Sequence, residues 1–307
     1  GGAWRGAGFR DKGHAFALLL LEFPLRIATV LSQGHAGMWI RNGSLVSDQQ
    51  YAYSGPSIRE GMHLLDLISI QLAACILPPP DFIASLQDRY GVSGWLRGQA
   101  DAMPEQEEKV VLVGELVFLL IKIACERSLV GFPSIQAEVR SMLIHCLSPG
   151  PKTHSALVRA LPPRITDEEC FDAILSEVST FRRPDSTQQG TFQLKAELIN
   201  QVDPFCYFFS RREREIVWEQ QRKQGRRALP LFPPLPPCLK HVGGLLVART
   251  LWQMLASVLA AAVQHAAAPT DVQHRFVSDT LLHHTLHTLG LALQVANEDR
   301  ESRCLEG

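Results

Sequence analysis

Apolar positions between residues 15 and about 131 recur at helical spacing, and no strand-type alternation interrupts them. Ser57 and Glu60 are spaced as a capping box ahead of the apolar run 64–77. A serine there can accept the N–H three residues on while the glutamate reaches back. Further helices are predicted over 81–89 and 105–127. Pro24, Pro56, the triplet Pro78-Pro79-Pro80 and Pro104 stand where helices must start or stop, since proline lacks the amide donor that a helix interior needs. The stretch 1–133 reads as an all-α scaffold.

The pattern changes over 134–203. A helix is predicted over 137–146, and a second begins near Thr153 and carries Leu157, Val158 and Leu161. A third opens with Thr166 and Glu169 as a capping box and turns Phe171, Ile174, Leu175 and Val178 to one side. Pro184, Asp185, Ser186 and Gly190 then supply turn chemistry between two short extended arms over 181–194. Three helices followed by a β-hairpin form the winged-helix pattern. Over 204–307 a charged helix (210–227) leads into a proline-rich connector (228–238) and two apolar helices (244–268 and 271–294), read as an antiparallel hairpin joined near Pro269. The fold class is therefore mainly α: a helical scaffold with an embedded winged-helix-like domain and a C-terminal helical hairpin.

Composition narrows the function classes. The 307 residues suffice for two or three cores, and 46% hydrophobic residues with a formal net charge of -1 describe an ordinary globular protein. No partner follows from net charge. The chain begins with Gly1 and ends in a charged stretch, which reads as a piece of a longer protein. Arg5, Arg10 and Lys12 precede the apolar run 15–21 as in a signal peptide, but Glu22 and Pro24 interrupt it, so a buried core helix is expected. The longest apolar run, 110–124, contains Glu115 and Lys122, and no membrane span is assigned. Seven dispersed cysteines without a C-x-x-C pair point to reduced, buried thiols of a cytosolic protein.

Candidate chemistry is sparse. The third winged helix is the element that enters DNA in many such folds, yet Asp167, Glu168, Glu169, Asp172 and Glu177 lie on it and no Lys or Arg appears before Arg182. Phosphates would be repelled, so no nucleic-acid partner is expected. His283 and His287 are four apart, but no carboxylate or thiolate completes a zinc-type set with them and His284. Arg227 with Pro230 and Pro233 matches a polyproline-docking form, and a stiff spacer packed through Leu231, Phe232 and Leu235 is the preferred reading. The charged helix over 210–227 reads as a solvated one with pairs such as Glu219 and Lys223. No nucleophile elbow, phosphate loop or paired carboxylates are found. Accordingly no catalytic, cofactor-binding or metal-ligating residue is assigned.

Several strings resemble the central region of the UBR-box N-recognins, RING-type E3 ubiquitin ligases of the N-end rule pathway. The first is Glu22-Phe23-Pro24-Leu25-Arg26 with His35-Ala36-Gly37-Met38-Trp39-Ile40-Arg41-Asn42-Gly43, where Met38 and Trp39 are expected in a core and Gly43 at a helix stop. Thr153-His154-Ser155, Leu157-Val158, Leu161-Pro162 and Gln189-Gly190-Thr191-Phe192 are similar to the family's winged helix. Ser210-Arg211 and Glu219-Gln220-Gln221-Arg222-Lys223 extend the likeness, which covers about residues 15–295.

The resemblance implies a full-length cytoplasmic protein, with the nucleus as a second compartment. It would recruit a ubiquitin-charged E2 and ubiquitinate substrates with destabilising N-termini, binding zinc in a UBR box and a RING that lie outside this segment. The segment itself would be a scaffold. The alternatives are a non-catalytic helical and winged-helix adaptor that docks proteins, and a winged-helix transcription factor.

Overall fold

The computed structural model describes residues 7–39, 41–55, 58–99, 105–184, 189–224, 232–267 and 277–305. In chain order the helices are α1 (Ala7–His35), α2 (Gly43–Ser54), α3 (Leu65–Ile76), α4 (Pro79–Tyr90), α5 (Ser93–Leu96) and α6 (Glu105–Cys125). Next come α7 (Ile135–Leu147), α8 (His154–Ala160), α9 (Pro163–Thr166) and α10 (Phe171–Val178). Strands β1 (Ser179–Arg182) and β2 (Thr191–Leu194) follow, then α11 (Arg211–Lys223), α12 (Gly243–Leu246), α13 (Arg249–Ala267) and α14 (Asp279–Leu305). The mainly α expectation holds.

Two compact units emerge, and neither is continuous in sequence. One gathers residues 1–53, 64–125 and 231–307, the other 54–63 and 126–230. The last third, read from the sequence as one stretch, thus divides between them.

In the first unit α1 packs on α3 and α6, and α14 packs on α6 and α13. Buried Ala17, Leu21 and Leu25 line the inner side of α1, and almost every apolar residue of α6 is buried. A side-chain amide ties α3 to α6, where Gln71 Nε2 donates to the Ile123 carbonyl at 2.9 Å. Helix α1 is long and apolar enough over Lys12–His35 to cross a membrane by length and composition, with a mean hydropathy of 1.7. The bent pair Pro237–Leu246 and Arg249–Ala267 passes the same test jointly.

Several local expectations are corrected here. Pro24 sits inside α1 and ends nothing. One missing backbone hydrogen bond, costing about 3 kcal/mol in an isolated helix interior, is outweighed by the packing of the flanking turns. The stop comes at Gly37, whose φ of 76° closes a Schellman motif in which Met38 N–H donates to the Gln33 carbonyl and Gly37 N–H to that of Gly34. Gly43 instead begins α2, and Met38 and Trp39 are 41% and 37% exposed, outside the core. The predicted helix 244–268 is broken between α12 and α13, and α14 runs on through the charged residues to Leu305. The hairpin contact between α13 and α14 is present, while its connection, like Ser57 and residues 227–231 of the polyproline-type motif, lies outside the described residues.

In the second unit the helices of the winged-helix pattern appear as α7, α8 and α10, with α9 as a short extra turn. Ser134 and Thr153 cap α7 and α8 by accepting the N–H groups of Ala137 and Ala156. The predicted cap of the third helix is not used. Thr166 closes α9 by donating to the Pro163 carbonyl, and α10 starts at Phe171 after Cys170, without a side-chain cap. Ser210 and Glu213 form the capping box that the sequence reading missed, and α11 buries Val217 and Gln221. That helix is therefore solvated on one side only.

Candidate functional site: the winged-helix unit

The wing is an antiparallel pair in the register Ser179↔Leu194, Thr180↔Gln193, Phe181↔Phe192 and Arg182↔Thr191. Lys152, between α7 and α8, adds a bridge to Phe192 through backbone hydrogen bonds of 3.0 and 2.8 Å, so the sheet has a third contributor that was not predicted. The rings of Phe181 and Phe192 sit 5.0 Å apart across the pair. Gly190 leaves room for the first of them, since a Cβ there would lie 2.6 Å from Phe181 Cζ. Residues 185–188, where Asp185 and Ser186 were assigned to the turn, lie outside the described residues.

Three polar clamps hold this unit. Arg164 donates through Nη1 and Nη2 to the two carboxylate oxygens of Glu138 at 2.9 and 2.6 Å, and through Nε to Glu60 at 2.7 Å. A planar guanidinium fits such a fork where a lysine does not.

Arg59, 4% exposed, donates to the Ala160 carbonyl and lies over the rings of Phe208 and Tyr207. Both Arg59 and Glu60 come from residues 54–63, a segment inserted between helices of the other unit in sequence, and Glu60 begins a π-helical turn, Glu60–Leu64.

His145 is the third clamp. Its Nδ1 donates to the Ser141 carbonyl at 2.7 Å and its Nε2 accepts the Asp203 N–H at 2.9 Å, which selects the neutral tautomer. Burial pushes its pKa down from the ordinary imidazole value. Burial likewise pushes up the carboxyls of Glu126 and Asp203. Glu126 accepts the N–H groups of Arg127 and Ser128, and Asp203 that of Phe205.

The exposed side of α10 carries Asp172 and Glu177, paired with His154 at 3.2 Å and Arg140 at 3.1 Å. A phosphate backbone approaching this helix would meet carboxylates. A pocket of about 200 Å³ opens among Leu147, Pro151, Leu194, Lys195, Ile199 and Gln220. Its polar lining includes Ser148, whose Oγ donates to the His145 carbonyl, and Lys195, whose Nζ donates to the Glu177 carbonyl.

Elsewhere the histidine group separates: His283 is exposed, while His284 is buried, bonded through Nδ1 to the Gly114 carbonyl and stacked on Phe118. His287, mostly buried, is pushed down to about 3. Among the described residues no three His, Cys, Asp or Glu side chains gather as metal ligands. Among the described cysteines Cys146 is buried, Cys75, Cys125, Cys170 and Cys206 are half-buried, and Cys238 is exposed, so the expectation of buried thiols holds for Cys146, in part for the next four, and fails for Cys238.

Two family models match within this architecture. Residues 8–117 match the UBR1/2/3-like ARM repeat domain, and residues 138–229 match the winged-helix domain of UBR1-like E3 ubiquitin-protein ligases. The chain belongs to the UBR1/2/3-like family.

Relatives in this UBR family include mouse E3 ubiquitin-protein ligase UBR2, 29% identical over 90% of this chain and 16% of its own length. Arabidopsis thaliana E3 ubiquitin-protein ligase PRT6 is 30% identical over 95% of this chain and 15% of its own. Human E3 ubiquitin-protein ligase UBR1 is 27% identical over 66% and 12%. The chain spans about one sixth of the length of the first of these relatives.

The strings that carried the UBR resemblance serve structure here: Thr153 as a cap, Gly190 and Phe192 in the wing, Ser210 as a cap. The clamp residues Arg59, Glu138, His145, Arg164 and Asp203 were not singled out. The one signal in the sequence was a polar residue set in an apolar run, as His145 is within 142–147.

Proposed function

We propose that this chain is a non-catalytic central scaffold of a RING-type E3 ubiquitin ligase of the N-degron pathway. In this reading the zinc-binding UBR box and RING lie elsewhere in the longer protein. Its partners are a ubiquitin-charged E2, ubiquitin and substrates with destabilising N-termini, and it works in the cytoplasm and nucleus. The observation that supports the reading is the pairing, in one chain, of ARM-repeat and winged-helix matches from the same ligase family.

Helices and a clamped winged helix are stiff parts. A stiff part between a degron-reading site and an E2-binding site restricts where a substrate lysine can lie relative to the ubiquitin thioester, and transfer depends steeply on that placement. The family's chemistry would then be done elsewhere, and this segment would govern reach.

The test replaces residues 138–229 of the full-length protein with a flexible Gly-Ser linker. Discharge of E2-bound ubiquitin onto free lysine should stay within about twofold, while ubiquitination of a substrate with a destabilising N-terminus should fall at least about tenfold. Unchanged substrate ubiquitination would sink the scaffold reading. Loss of free-lysine discharge would make the segment part of catalysis.

A further inference from the structure

Helix α1 has two apolar sides, and the first unit covers one of them. Phe16, Leu19 and Phe23 are 56%, 72% and 69% exposed. At 3.6 residues per turn they fall in one stripe, with exposed Lys12 and Arg26 continuing it at either end. The opposite side carries Ala17, Leu21 and Leu25 at 0%, 3% and 1% exposure. A helix apolar on both sides belongs between two layers.

In a solenoid of ARM repeats each repeat buries its surfaces against its neighbours, and a terminal repeat needs a polar outer side. Helix α1 opens the ARM match at residue 8 and has no such polar side. The first of the relatives are about six times the length covered here, so most of such a polypeptide is outside this structure.

We propose that the Phe16, Leu19 and Phe23 stripe is the docking face for a further ARM-type helix of the same polypeptide, contributed by the stretch preceding α1. The occupant is an amphipathic helix with large apolar side chains at matching spacing and acidic residues placed to meet Lys12 and Arg26. This inference rests on the ARM architecture and not on the ligase reading, so the linker replacement above can fail while it stands. Direct exposure of α1 to lipid is disfavoured because its other side is packed on α3 and α6, whereas a lone span faces lipid all round.

The experiment places a photo-crosslinking residue, p-benzoylphenylalanine, at Leu19 in the full-length protein, with a second variant at Phe16 in case the first does not fold. Irradiation and peptide mass spectrometry should give a cross-link to a segment of the same polypeptide N-terminal to this chain. Amides over residues 12–26 should also exchange with deuterium at least about tenfold more slowly in the full-length protein than in the 307-residue chain. Cross-links between differently labelled copies would make the stripe a self-association face, and cross-links to phosphatidylcholine–phosphatidylserine vesicles would make it a membrane face. Either result, or equal exchange in the two proteins, overturns the proposal.

Discussion

The backbone N–H of Asp203 donates across 2.9 Å to Nε2 of His145, tying the segment after the wing to the last turn of α7. That bond exists only while the imidazole is neutral, since a protonated ring has no acceptor to offer.

Acid should therefore loosen this unit through His145. Burial sets its folded pKa below its unfolded value, so the stability it supplies is complete above about pH 6.5 and drains away as pH falls below that. The buried carboxyls of Glu126 and Asp203 act in the opposite sense: raised pKa values favour the folded state at low pH and lose that contribution as pH rises. His145→Gln keeps a donor and an acceptor and removes the titration, which isolates the histidine. Chemical denaturation at about pH 7.5 and about pH 5.5 should show the difference between parent and variant shrinking on acidification by about 1 kcal/mol. An unchanged difference would refute the assignment.

Arg164→Ala leaves the largely buried Glu138 carboxylate without its fork. Arg164 is itself about a third exposed, so the expected loss is about 2–3 kcal/mol, below that of a fully buried pair. Arg164→Lys should recover less than half of it, because an ammonium cannot serve Glu138 and Glu60 in the same geometry. Urea titration followed by tryptophan fluorescence measures both.

The segment 54–63 belongs physically to the winged-helix unit, so residues 126–230 expressed without it should be less stable than the same residues in the whole chain. Arg59→Ala should mimic part of that effect, costing about 2 kcal/mol through the lost hydrogen bond and ring contacts. Hydrogen exchange should rise in α7, α8 and α10 and stay unchanged in α6. Equal rises in both units would contradict a local role.

Duplex DNA should bind the 307-residue chain weakly, with no micromolar complex at low salt, because exposed Asp172 and Glu177 face the approach. Fluorescence anisotropy with a salt series decides this. A steep salt slope with micromolar affinity would restore the nucleic-acid reading.

The sequence made the helices legible because their signals are local. Apolar spacing located α3, α4 and α6 to within a few residues, and Thr153 marked the start of α8. It misplaced features that local signals decide only in the absence of packing. Pro24 reads as a break, yet the buried turns around it carry α1 through. Thr166 and Glu169 have capping-box spacing, yet a tight turn through Glu168 to Phe171 delays α10. Met38 and Trp39 are large enough for a core but follow the Schellman stop at Gly37 and remain partly exposed.

By itself, then, the sequence determined the helical class, the winged-helix pattern and the family, since periodicity, caps and short strings are properties of neighbouring residues. Only the tertiary structure assigned Arg59 and Glu60 to the winged-helix unit, joined Arg164 to Glu138 and Asp203 to His145, and exposed one side of α1. Those relations link residues as far as 104 positions apart, as in the pairing of Glu60 with Arg164, and which buried charge finds which partner is decided by three-dimensional packing.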